Sequence, residues 1–184
     1  MKPKLVKDLM VPLSDYATVS EDATLIEAVA ALKASQEAFS QSRYRHRSIL
    51  ILNAADKVVG QVSLLSILRG LEPKYDRMLS DQGATHVSFT TEFQKSMIEQ
   101  LKLWEEPLEH ICMKVAKIKV KTFMTQPGQS AQVMAGDTLD QAIHQFVIGG
   151  HQSLMVLSGE DVVGILRLTD MYECVAKAVS QCES

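Results

Sequence analysis

Val58-Val59-Gly60-Gln61-Val62-Ser63 returns 104 residues later as Val162-Val163-Gly164-Ile165-Leu166-Arg167, and that recurrence decides the fold. Short aliphatic runs bounded by turn residues read as buried strands. Working outward, Ser48-Ile49-Leu50-Ile51-Leu52 precedes the turn Asn53-Ala54-Ala55-Asp56, and Leu154-Met155-Val156-Leu157 precedes Ser158-Gly159-Glu160-Asp161. Farther upstream, Thr24-Leu25-Ile26-Glu27-Ala28 is answered by Thr138-Leu139-Asp140-Gln141-Ala142. Val6-Lys7-Asp8-Leu9-Met10 is answered by Val120-Lys121-Thr122-Phe123-Met124. Both of these pairs lie 114 residues apart, and extra residues at 34–47 absorb the difference. A unit duplicated at this length folds as two similar lobes about a pseudo-two-fold axis.

Each copy carries the same order of elements. A basic and apolar lead-in ends at Met10 or Met124, and an extended stretch follows (Ala17-Thr18-Val19; Ala131-Gln132-Val133). Next comes a helix with a capping box, Thr24 three residues before Glu27 and Thr138 three before Gln141, so that hydroxyl and longer side chain satisfy exposed amides reciprocally. Leu25, Ala28, Val29 and Leu32 then share one helical face, as do Leu139, Ala142, Ile143, Phe146 and Val147. Two strands and a closing helix, at 64–71 and 168–179, complete each unit. The expected class is α/β, strand-helix-strand-strand-helix twice, with the lobes packed through their small sheets. The expected division is repeat one at 1–71, a helical insert and connector at 72–119, and repeat two at 120–184.

In the insert, Phe93, Met97, Leu101, Trp104, Leu108 and Ile111 recur at spacings of three and four, marking an amphipathic helix. Pro107 must interrupt or restart it, because proline removes an amide donor and clashes with the preceding turn. Core or dimer packing explains that stripe better than a cofactor-binding role. Lys117-Ile118-Lys119-Val120-Lys121 alternates as an extended connector does.

The 184 residues are 46% hydrophobic and 22% charged, with a net charge of −3, which is ordinary for a globular protein. That balance offers no general attraction to nucleic acid or anionic membrane, so neither is an expected partner. The basic start of the chain lacks the apolar run of a secretory signal, and the aliphatic run near 49–52 is too short to span a bilayer. Cys112, Cys174 and Cys182 follow no ligand or disulfide spacing, so free thiols in a reducing compartment, the cytoplasm, are expected.

No catalytic constellation emerges. There is no nucleophile elbow, P-loop, zinc-protease motif or dinucleotide fingerprint, and His46, His86, His110 and His144 show no metal-binding spacing. The expectation is therefore no catalytic residue, no metal and no obligatory cofactor. An enzyme whose site is assembled from distant residues is a third reading that no motif supports.

The lead-ins ending in methionine, the Thr-Leu helix starts and the Val-Val-Gly strands together resemble the CBS domain pair, or Bateman module. The resemblance covers nearly all of 6–179 apart from the insert and leaves over no catalytic domain, as in a stand-alone pair. It implies a non-catalytic regulatory module that binds AMP, ADP, ATP or S-adenosylmethionine between the repeats, forms a homodimer and acts on a partner protein as yet unidentified. The family's pocket motif is glycine, two residues, Ser/Thr, two residues, Asp. Glycine lets a ligand approach the backbone, the hydroxyl suits a phosphate, and the carboxylate accepts from ribose hydroxyls.

Each copy here keeps half of that motif. Repeat one has Gly60, Ser63 and Ser66, with serine in place of the aspartate. Repeat two has Gly164, Arg167 and Asp170, with arginine in place of the hydroxyl residue. The second is the better candidate site, since Asp170 suits a ribose and Arg167 suits a phosphate. Each residue also has a plainer reading. Asp170 suits a helix start, Arg167 a surface or ion-paired position, the glycines strand ends, and the serines helix caps. Arg43-Tyr44-Arg45-His46-Arg47 reads as a solvated loop or as positive charge for a phosphate tail, and His151 as a pocket edge. A ligand-free dimerisation scaffold with decayed sites is the alternative function.

Overall fold

The computed structural model describes residues 4–38, 46–72, 74, 90–102, 105–126 and 131–182. In chain order the elements are β1 (Val11–Pro12), β2 (Thr18–Ser20), α1 (Leu25–Ala38), β3 (Ser48–Leu52), β4 (Val58–Ser63), α2 (Leu64–Gly70), α3 (Thr91–Leu101) and α4 (Leu108–Val115). The second half adds β5 (Gln132–Met134), α5 (Leu139–Gly149), β6 (Ser153–Ser158), β7 (Asp161–Arg167) and α6 (Leu168–Cys182). The repeated strand-helix-strand-strand-helix order is present in both halves.

Both capping boxes form. The Thr24 amide donates to Glu27 Oε2 at 2.7 Å, and the Thr138 amide to Gln141 Oε1 at 2.9 Å. The bond from Thr24 holds the Glu27 carboxyl below its usual range. In each lobe a parallel pair (β2 with β3, β5 with β6) is extended by an antiparallel hairpin. The resulting sheets are ordered β2-β3-β4 and β1-β7-β6-β5.

The extra strand of the second sheet belongs to the first half of the chain. β1 pairs with β7, Val11 opposite Ile165, while a bridge in the other lobe pairs Thr125 with Gln61. The lead-ins are thus exchanged. Val6 donates its amide to the Asp137 carbonyl at 2.9 Å, and Val120 donates to Ala23 at 2.8 Å. Each valine is fully buried in the other repeat's core, Val6 with Leu139, Phe146 and Leu166, Val120 with Ala28, Ile49 and Val62. Between these two cores lies a third, formed by Val11, Tyr16, Leu50, Met155 and Ile165, through which the sheets pack.

Three sequence readings gain detail, and one of them, the extended connector, is corrected. The insert stripe is two helices, α3 ending at Lys102 in the left-handed region (φ 50°) and α4 starting behind Pro107. Ile111 and Val115 pack on Leu25 of α1, whereas Phe93 and Leu108 remain exposed; Trp104 lies outside the described residues. Val120–Thr122 is a 3-10 turn rather than extended chain, and the lysine-apolar alternation arises because Ile118 and Val120 both face inward across a bend. The longer first repeat comes in part from α1, which runs three residues beyond the length of α5.

Candidate functional site

Arg167 ends β7 and Asp170 lies in the first turn of α6, so the strand-to-helix junction sets the two side chains side by side. Arg167 Nε donates to Asp170 Oδ2 at 2.5 Å and Nη2 to Oδ1 at 2.6 Å. The side chains are only 6% and 18% exposed. Such a two-pronged pairing is the strongest geometry open to these groups.

Lobe one brings its own buried polar groups within the field of this pair. Tyr16, buried, shares a hydrogen bond of 2.9 Å between its hydroxyl and that of Ser48. The fully buried His46 ring meets the Tyr16 ring edge-on, with centroids 4.4 Å apart. Burial pushes the Tyr16 hydroxyl pKa up; the Ser48 bond and Arg167 oppose this, and Asp170 adds to it. Burial, with Arg167, holds His46 below the usual imidazole range, against the backbone and carboxylate of Asp15 and the charge of Asp170. Tyr16 and His46 therefore sit within the field of an ion pair that belongs to the other repeat. The result is a polar cluster at the lobe boundary, beside the apolar inter-lobe core.

The equivalent place in lobe one is neutral. Ser63 Oγ accepts from the Ser66 amide at 3.0 Å, capping α2, and the two hydroxyls lie 2.9 Å apart. The two motif residues thus bond to each other in both copies, as hydroxyls in one and as an ion pair in the other. The cap reading of Ser63 is realised.

The two glycines hold the exchanged lead-ins. A Cβ on Gly164 would lie 2.5 Å from the Val11 carbonyl oxygen and 3.0 Å from Met10 Sδ. On Gly60 it would meet Met124 Sδ at 2.9 Å and the Thr125 carbonyl at 3.1 Å. At Gly164 the closest approach is by the chain's own backbone, and at Gly60 by a methionine side chain with backbone just behind it.

His151 lies over Gly149, after Gly150 in the left-handed region (φ 60°), and its buried Nε2 has no hydrogen-bond partner. It is the counterpart of His46, since His46-Arg47-Ser48 and His151-Gln152-Ser153 enter matching strands in matching register. The two lie 105 residues apart, not 104, because the turn after β3 is one residue longer and places Asp56 at φ 56°. His46 is thus a core residue rather than part of a solvated loop, while Arg47 is exposed; residues 43–45 lie outside the described residues. Tyr16 and Ser48 were not singled out from sequence as site residues, and His46 only as part of the basic stretch 43–47, although the repeated His-x-Ser was a visible signal. Among the described residues no three His, Cys, Asp or Glu side chains are grouped to hold a metal, and no helix is long and apolar enough to cross a membrane.

Two α/β lobes with exchanged lead-ins and a polar cluster at their boundary define a tandem-repeat α/β fold. Residues 6–73 match the model of the CBS domain, and the chain shares its fold with solved CBS-domain structures. No curated protein sequence matches it. Among solved structures, a CBS domain-containing protein of unknown function from Bacillus anthracis is 18% identical with a TM-score of 0.63, the match covering 95% of this chain and 94% of that one. CBSX2, solved in complex with AMP, is 16% identical with a TM-score of 0.59, over 95% and 97%. MJ1004 from Methanocaldococcus jannaschii is 20% identical with a TM-score of 0.57; the match covers 95% of this chain but only 60% of that longer one.

Proposed function

We propose that this protein is a regulatory module without catalysis of its own, which binds an adenine nucleotide or related adenosyl ligand beside Asp170. The observation that carries the reading is the polar cluster in which Tyr16, bonded to Ser48 and met edge-on by His46, sits with His46 in the field of the Arg167–Asp170 pair of lobe two. In this reading the Asp170 carboxylate accepts from the ribose hydroxyls and the guanidinium meets the phosphate. CBSX2, with the same fold, was solved with AMP, which supports the choice of ligand class. A ligand seated between the lobes favours one relative lobe position over others, and a partner protein reads that position.

A homodimer accompanies the proposal. Leu65 and Leu68 on α2 are 57% and 58% exposed, and Tyr172, at the position equivalent to Leu68, is 64% exposed on α6. An apolar face presented by both lobes suits a second copy arranged about a two-fold axis. Free Cys112 and Cys174 accord with a cytoplasmic setting.

The second reading, a ligand-free scaffold, is favoured by the self-satisfied Ser63–Ser66 and Arg167–Asp170 pairs. Thermal unfolding against millimolar AMP, ADP, ATP and S-adenosylmethionine separates the two. A ligand of the folded state raises the melting temperature. The regulatory reading expects a rise with at least one of the four, and no rise with any supports the scaffold.

A further inference from the structure

The Arg167–Asp170 pair has a consequence for which ligands the cleft accepts. Both carboxylate oxygens that a ribose diol would use already hold guanidinium hydrogens. The guanidinium meets the carboxylate with an opposite charge and two parallel hydrogen bonds, whereas ribose hydroxyls offer the carboxylate hydrogen bonds without the second charge. A nucleoside alone therefore cannot repay the loss of the pair. A phosphate can, because it gives the displaced guanidinium a second anion.

We propose that Arg167 is a specificity-determining latch. It closes Asp170 against uncharged or cationic adenosyl ligands and yields to those that carry phosphate. The inference rests on the reading that Asp170 receives the ribose. It assigns the site to adenine nucleotides in preference to adenosine or S-adenosylmethionine, whose sulfonium would face the guanidinium. Lobe one carries no such latch, since a serine stands at the matching position and pairs with a serine.

Calorimetry with AMP and adenosine, on the intact protein and on Arg167→Ser, tests the latch. Adenosine carries the ribose without the phosphate, so its affinity isolates the competition for Asp170. The intact protein should bind AMP at least about tenfold more tightly than adenosine. In Arg167→Ser that ratio should collapse, with adenosine bound more tightly than by the intact protein. A general loss of structure would weaken both ligands and leave the ratio unchanged. If the intact protein binds AMP but the variant shows the same ratio, or no gain for adenosine, the latch is wrong and the nucleotide site survives. If neither ligand binds either protein, both fail. Should Arg167→Ser not fold, the Arg167 Nε–H resonance of the intact protein gives the answer by NMR. It should move on saturation with AMP, and an unmoved resonance overturns the proposal.

Discussion

The amide of Val6 donates to the carbonyl of Asp137 at 2.9 Å, carrying the first segment of the chain into the second lobe. Val120 returns the exchange, and both side chains are fully excluded from solvent. Neither lobe has a complete core without the other half of the chain. Val6→Ala and Val120→Ala should each cost about 2 kcal/mol, from lost burial and the cavity left behind. In urea, each should shift one shared unfolding transition to lower denaturant. A biphasic curve in which only one half responds would contradict the exchange.

The glycines of the two Val-Val-Gly strands should respond unequally to alanine. At Gly164 the new methyl meets the Val11 backbone, which is tied into the β1–β7 pairing and has little room to shift. At Gly60 the nearest atom is the end of the flexible Met124 side chain. Gly164→Ala should cost roughly 1–3 kcal/mol, the usual range for overpacking, and Gly60→Ala less. Equal costs by chemical denaturation would show that the carbonyl contact is not what demands glycine.

His46 makes stability depend on pH. Its folded-state pKa lies below the ordinary imidazole value of 6.5, chiefly through burial. As pH falls through the unfolded value, the unfolded chain takes up a proton that the folded protein refuses, so stability is lost from about pH 6.5 down to the folded pKa. Denaturation midpoints from pH 8 to 5.5 should show this decline, and His46→Phe should flatten it. A slope unchanged by the substitution would place its origin elsewhere.

Asp22 titrates in a lower window. Hydrogen bonds from Lys119 at 2.8 Å and Lys121 at 2.9 Å bring its carboxyl down to about 2. The depressed value means that this support is complete above the unfolded pKa near 3.8 and is lost as pH falls towards 2. The three side chains are well exposed, so salt should weaken the effect. Carboxyl NMR should find the midpoint near 2, and Lys119→Ala with Lys121→Ala should return it towards 3.8.

The elements legible in the sequence are those governed by local rules. Thr24 with Glu27 and Thr138 with Gln141 announce their helices because a capping box is complete within four residues. β3, β4, β6 and β7 are aliphatic runs closed by turns. The exchange of lead-ins was not legible, because the bond from Val6 to Asp137 spans the chain and leaves no local pattern. Arg167 and Asp170 stand out in the sequence, but the sequence could not choose between a partner in solution and each other. The spacing of three, across a strand-to-helix junction, is what lets them meet. His46 and His151 escaped comparison because one extra turn residue shifts their register relative to the Val-Val-Gly strands.

The most direct test of the account is a crystal of this protein grown with millimolar AMP. The account predicts density between the lobes with the ribose hydroxyls on the Asp170 carboxylate and the Arg167 guanidinium turned to the phosphate. An empty cleft with the Arg167–Asp170 pair intact, or AMP bound away from Asp170, would contradict it.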